Sequence, residues 1–223
     1  NEEAITGQTN VTTPAEIRTR ALGAYASQNR AVTRQDYLSL VYRMPSNFGS
    51  VKRASIVQDK RSIKRNLNLY VISEDSAGHL SETSSTVKNN LRAWLNKYKM
   101  INDTIDILDG RIANIGIQFE VIGTPEKNSN EILTICLNAL KNEYASHFSF
   151  GTPLYISDVY RILNDLEEVI DTKTVKVISQ YGSNYNAIEY EAEANITSDG
   201  RFVKVPEDVV LEVKYPDIDI IGV

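Results

Sequence analysis

The stretch from Asn29 to Ser55 constrains the fold more than any other part of the chain. Thr33 is placed to cap a helix, because its hydroxyl can accept a bond from a free backbone N–H, and Asp36 sits in the favourable first turn. Tyr37, Leu40, Val41 and Met44 then share one helical face. Pro45 ends the helix, and Gly49 allows a turn into a strand opened by Val51. A helix with one apolar face, stopped by proline and followed at once by a strand, must lay that face on a sheet. By itself this specifies a mixed chain of helices and strands and no chemistry.

The order Ala31-Val32-Thr33, Asp36-Tyr37, then Gly49-Ser50-Val51 and Arg53-Ala54 resembles the J-like baseplate proteins of contractile phage tails. Two later features follow the same pattern. One is a strand, a Ser-rich loop and a long helix over Leu67 to Tyr98; the other is Gly151-Thr152-Pro153-Leu154-Tyr155-Ile156-Ser157, then a short helix and a strand. The similarity runs from about Asn29 onward and is strongest to the baseplate wedge subunits of T4-like phages. The resemblance implies a longer protein, with this piece, which begins at Asn1, nearer its C-terminal end. It implies a virion tail component assembled in the host cytoplasm. Such a component forms homodimers, contacts other wedge and hub subunits in a ring around the central hub, and takes part in the shape change that triggers sheath contraction. It implies neither enzymatic activity nor a cofactor.

The residues themselves add bounds. The chain is long enough for one large domain or two small ones. A net charge of −5 argues against wholesale phosphate binding. A single cysteine, Cys136, excludes an internal disulfide and sits on an apolar helix face as an inert thiol. No apolar run is long enough to span a bilayer.

In chain order, Thr13-Pro14-Ala15-Glu16 is a capping box that opens a helix with Ile17, Ala21 and Tyr25 on one stripe. Strands are expected over 51–57 and 66–73, the second with Leu67, Leu69 and Val71 on its buried face. Lys52, Arg53, Lys60, Arg61, Lys64 and Arg65 surround their connection. This cluster is either a charged tip that discourages edge pairing or a patch for an acidic partner; nucleic acid is disfavoured because no aromatic residues interleave it. A helix follows with Val87, Leu91, Trp94, Leu95 and Tyr98 inward, Trp94 serving as core or as a partner anchor.

Strands over 104–108 and 111–122 are expected to form a hairpin at Asp109-Gly110. Asp103, Asp106 and Asp109 come every third residue, a spacing that does not suit a calcium loop. The longest helix, capped by Asn128 or Ser129, runs to about Phe148 and carries a wide apolar arc of Ile132, Leu133, Cys136, Leu137, Ala139, Leu140 and Tyr144. Glu143 and His147 are four residues apart, which reads as a surface pair or, more sharply, as an acid–base pair. Ser157 is expected to cap a short helix. Adjacent Glu167 and Glu168, if helical, diverge too far to flank one bond.

A strand over 174–178 leads into a loop of Tyr, Asn, Gly and Ser over 179–186, a composition common at partner contacts. Residues 188–196 alternate as a strand, with Ile188, Tyr190, Ala192 and Ala194 inward against Glu189, Glu191 and Glu193. Strands over 209–215 and 217–223 close the chain, and Asp217 and Asp219 share one face of the last without a third ligand.

The expected fold is therefore α+β: small antiparallel or mixed sheets backed by helices, with one part over 1–100 and another over 101–223. No nucleophile elbow, phosphate loop or zinc spacing is present in the sequence, so no catalytic, cofactor or metal residue is assigned. The alternatives to a structural subunit are a nucleic-acid binder using Lys60 to Arg65 and a hydrolase using Glu143 and His147.

Overall fold

A computed structural model describes residues 14, 17–18, 21–22, 30–59, 66–144, 148–186 and 190–222. The chain forms two compact units, Asn1–Gly110 and Arg111–Val223, in an α+β architecture.

In the first unit, helix α1 (Arg34–Tyr42) begins at Thr33, whose side chain accepts the Asp36 N–H. The Asp36 carboxylate reaches back to the Thr33 N–H at 2.8 Å, so the expected cap is a full capping box. Tyr37, Leu40, Val41 and Met44 are all buried, as the periodicity requires. A short 3-10 turn (Ser46–Phe48) and Gly49 lead into strand β1 (Arg53–Gln58). Strand β2 (Asn66–Glu74) pairs antiparallel with β1 and, at its far end, with the short β3 (Leu80–Ser81). Helix α2 (Ser85–Leu95), capped by Ser84, buries Val87, Leu91 and Leu95 in the core it shares with α1. Trp94 is half-buried; its indole N–H donates to the Leu40 carbonyl at 2.9 Å, which ties α2 to α1.

The outer edge of β1 is sealed by α1. Arg34 donates through Nε (2.9 Å) and Nη2 to the Ile56 carbonyl, and the Tyr42 hydroxyl accepts the Ala54 N–H at 3.0 Å. Strand addition by another chain is thereby blocked at this edge. The β1–β2 connection with Lys60, Arg61, Lys64 and Arg65 lies outside the described residues, as does most of the first expected helix. Its described residues Pro14, Ile17, Arg18, Ala21 and Leu22 are helical and exposed.

The Asp109-Gly110 hairpin does not form. Strand β4 (Thr104–Asp109) runs parallel to β2 in the first unit. The Gly110 N–H donates to the Val71 carbonyl at 3.0 Å, and the next strand pairs elsewhere. Gly110 lacks the positive φ that a two-residue hairpin needs.

Strand β5 (Arg111–Gly123) is the axis of the second unit. It pairs antiparallel with β7 (Val169–Ser179) on one side. On the other it pairs parallel with β9 (Val209–Glu212) and then β10 (Ile220–Gly222). Helix α3 (Ser129–Tyr144) buries Ile132, Cys136 and Leu140 in the core, while Leu133, Leu137 and Tyr144 pack against it half-buried. Its wide apolar arc thus has two neighbours, β10 and helix α4 (Ile156–Asn164). Cys136 is fully buried, and burial pushes its thiol pKa up, which keeps it unreactive. Strands β6 (Leu154–Tyr155) and β8 (Phe202–Val203) form a separate small ladder.

Four local expectations are corrected. Helix α4 starts one residue before Ser157, with Tyr155 in the cap position and no side-chain cap, because the chain enters the helix directly from β6. Glu167 and Glu168 lie beyond its end rather than on it. Residues 190–196 are not a strand: a 3-10 turn (Glu193–Asn195) follows Ala192, and only Ile196 bridges to Val203. Side chains take the backbone groups that a ladder would need. Ser179 Oγ accepts the Ala192 N–H at 2.7 Å, Tyr181 donates to the Tyr190 carbonyl at 3.0 Å, and the Tyr190 hydroxyl bonds to the Lys204 carbonyl. Tyr190 and Ala192 are buried as expected, but Ala194 is exposed; Ile188 and Glu189 lie outside the described residues. The closing segment is a short helix α5 (Pro216–Asp219) before β10, because Pro216 occupies its first turn.

Two predictions arise from α1. Thr33→Ala should cost about 1 kcal/mol of unfolding free energy, and an unchanged thermal midpoint would contradict the cap. Burial pushes the Asp36 carboxyl up, but bonds from the Thr33 and Val32 N–H groups and the Thr33 hydroxyl outweigh it and hold the pKa below its ordinary 3.8. A carboxyl depressed in the folded state stabilises fully above its unfolded pKa and loses that contribution as pH falls through the folded one. The stability gap between wild type and Asp36→Asn should therefore be constant near neutrality and shrink below about pH 4. A gap unchanged at pH 3 would contradict it.

Candidate interaction surfaces

The polar groups of the second unit hold one exposed loop, 180–186, in place. Strand β5 is apolar from Ile112 to Ile117 except for Asn114 and Gly116. Asn114 lies opposite Glu212 of β9 in the ladder, and its Nδ2 donates to the Glu212 carboxylate at 2.9 Å. Glu212 is fully buried. The other end of the Asn114 amide accepts the Asn186 N–H at 2.9 Å, and its main-chain carbonyl accepts the Gln180 N–H at 2.9 Å. One asparagine thus holds both ends of the loop. Gly116 makes room: a Cβ there would stand 2.7 Å from Gln180 Nε2 and 2.8 Å from the Asp219 carbonyl.

A second anchor is Asp219, only 1% exposed. It accepts the Tyr185 hydroxyl at 2.6 Å and the Tyr215 N–H at 2.8 Å. The Tyr185 and Tyr215 rings meet edge to face. Lys214 donates to the Asn184 carbonyl at 2.6 Å. Burial, and then the bond to and charge of Asp219, push the Tyr185 pKa up to about 12, so the phenol stays a neutral donor. The loop presents Tyr181, Gly182, Ser183 and Asn184 to solvent on a pre-ordered frame. Tyr185→Phe should cost about 1–2 kcal/mol and raise proteolytic nicking within 180–186. An unchanged nicking rate would show that the bond does not hold the loop.

The residues considered for chemistry go to separate structural partners. Asp103 is buried and accepts the Tyr37 hydroxyl at 2.6 Å; Asp106 accepts from Asn66 at 2.8 Å; Asp109 pairs with Lys88 at 2.8 Å. Asp217 pairs with Lys141 at 2.6 Å, whereas Asp219 is an anchor of the loop, so the two share no strand face. Glu168 pairs with Lys127 at 2.9 Å. Lys52 pairs with Glu74 at 2.8 Å, and Arg53 donates to the neighbouring Lys52 carbonyl. Glu143 is exposed on the last turn of α3, and His147 lies outside the described residues. Among the described residues no three His, Cys, Asp or Glu side chains are placed to hold a metal ion, and no helix is long and apolar enough to cross a membrane. A hollow of about 120 Å³ on the outer face of β5 and β7 is lined by Gln118, Phe119, Glu120, Thr174 and Lys176. Glu120 is there bridged to Lys173 at 2.6 Å, so the carboxylate is occupied.

Asn114, Glu212, Tyr185 and Asp219 were not singled out from the sequence as a group. A signal existed: Asn114 and Glu212 each interrupt an otherwise apolar run, and a polar residue inside a buried strand needs a buried partner.

No protein-family model matches the chain, and no curated protein does. Among solved structures, a chain of the anti-feeding prophage (AFP) baseplate, determined by cryo-EM and symmetrised six-fold, is similar in fold with a TM-score of 0.53. The match covers 90% of this chain and 41% of that one at 12% identity, so this chain spans less than half the length of its structural neighbour. The likeness is one of fold: this α+β chain has the architecture of a segment of a baseplate chain.

Proposed function

We infer that the chain is part of a structural subunit of a tail baseplate, of the wedge type, and that it acts by binding other polypeptides rather than by converting a substrate. The observation that carries this is the fold match to a baseplate chain across nine-tenths of the sequence. The fate of the polar groups supports it. Three of the buried ones, Asn114, Glu212 and Asp219, hold a loop in shape, and buried Asp103 is taken by Tyr37. In this reading the subunit dimerises and joins wedge and hub proteins in a ring around the central hub. Repacking of those contacts between two arrangements would transmit the signal for sheath contraction. The whole protein would be a virion component without a cofactor.

The test is to place an epitope tag on the chain in cells that assemble the particle and to label purified particles with gold. Label at the baseplate end of the sheath is expected. Particles that carry no label, or carry it along the sheath, would contradict the assignment. Turnover of a hydrolysable substrate that Glu143→Gln abolishes would instead favour the enzymatic alternative.

A further inference from the structure

The two units differ sharply in charge. Residues 1–110 hold 15 Lys and Arg against 11 Asp and Glu, a net +4, and residues 111–223 hold 9 against 18, a net −9. Each unit also carries a surface of its own sign that exposes large apolar side chains.

In the first unit the surface is the solvent face of α2 and the turn after it. No acidic residue occurs from Thr83 to Asn102. Lys88 pairs with Asp109, but Arg92 and Lys97 are exposed and form no ion pair among the described residues; Lys97 lies over the Trp94 ring. At the end of this face Ile101 is 100% exposed and Met100 39%. Solvated basic helix faces are common, but they do not usually end in a fully exposed isoleucine next to an exposed methionine.

In the second unit the surface is the tip where β5 and β7 end. The turns after β5 and before β7 are joined by the Thr124 N–H to the Glu168 carbonyl at 3.0 Å. Lys127 there pairs with Glu168 at 2.9 Å and approaches Glu131 at 4.0 Å. Glu167 also acts on Lys127, so three carboxylates face one lysine, and exposed Glu126 adjoins it in the chain. Two irregularities interrupt the β5–β7 ladder here, and Ile170 has no partner on β5. A bulge of this kind re-aims a side chain. Ile170 is 61% exposed and Ile122, beside it on β5, is 50% exposed. An apolar centre with a charged rim is the anatomy of a protein interface, and the two rims are opposite in sign.

We propose that the acidic tip of the second unit docks on the basic face of α2 in another copy of the chain, giving a head-to-tail contact. This rests on the assembly reading above and names one of its contacts. A second copy is the occupant because this one sequence supplies both halves, matched in charge and each with two exposed apolar side chains. A head-to-tail contact uses different patches on the two partners, so one such contact leaves one of each free, and repeating it builds a ring where the rotation closes and an open filament where it does not. A contact between like units would instead bring like charges together.

The test uses the full chain in sedimentation velocity over a range of concentrations and salt. Self-association is expected, with a dissociation constant that rises about tenfold or more from low salt to 0.5 M, because screening weakens opposite charges. The double variant R92E/K97E and the double variant E126K/E167K should each be monomeric with unchanged circular dichroism, and an equimolar mixture should form a complex. Association that strengthens with salt, or that neither variant alters, would overturn this contact while leaving the assembly reading intact. A wild-type chain that stays monomeric throughout would also overturn it, and gold labelling of particles would then judge the assembly reading separately.

Discussion

Replacing Gly49 by alanine is expected to destabilise the first unit by about 3 kcal/mol. Two independent terms add. Gly49 has φ 101° and ψ 171°, a region that only glycine occupies without strain. A Cβ there would also lie 2.4 Å from Val87 Cγ2, and Val87 is buried in the core between α1 and α2. The valine cannot swing away without opening that core, so the strain is not relieved. The first thermal transition should fall by about 10–15 °C. A fall of less than about 2 °C would show that the turn between α1 and β1 is not packed against α2.

Asp219→Ala should cost about 2–3 kcal/mol, because it removes the acceptor of a half-buried phenol and of a backbone N–H and leaves both donors without their partner. Asp219→Asn keeps one carbonyl acceptor and should cost about half as much. The loss should appear in the second unit and should free loop 180–186, which hydrogen exchange of its amides would register. Equal stability of the alanine variant would mean that the loop has no need of this anchor.

The parts of the fold that were legible in the sequence are those set by neighbours in the chain. Thr33, Asp36, the spacing of Tyr37, Leu40, Val41 and Met44, and Pro45 all act within a few residues, and α1 follows them closely. What was not legible is which strand pairs with which. Asp109-Gly110 has hairpin chemistry, yet β4 finds β2 and β5 finds β7, β9 and β10, a choice made by burial across the whole unit. Alternation misled at 190–196 for a related reason. A turn that buries Tyr190 and Ala192 satisfies the same pattern as a strand, provided that side chains such as Ser179 and Tyr181 take the backbone bonds. The loop at 180–186 stood out by composition, but its anchors did not. Asn114, Glu212 and Asp219 come from three distant segments, and only the ladder register brings them to one end of β5.

Two structural devices bear on assembly. Arg34 and Tyr42 close the edge of β1 to strand addition, which leaves side-chain surfaces to make specific contacts. The loop 180–186 is ordered before any partner arrives, so little entropy remains to be lost there on binding.

The most direct measurement is a cryo-EM reconstruction of tail particles purified from cells that make this chain. The account predicts both units in the baseplate, each packed against other polypeptides, with loop 180–186 in a contact and no substrate-sized cleft. Density for the chain outside the baseplate, or a small molecule held between reactive side chains of one unit, would contradict it.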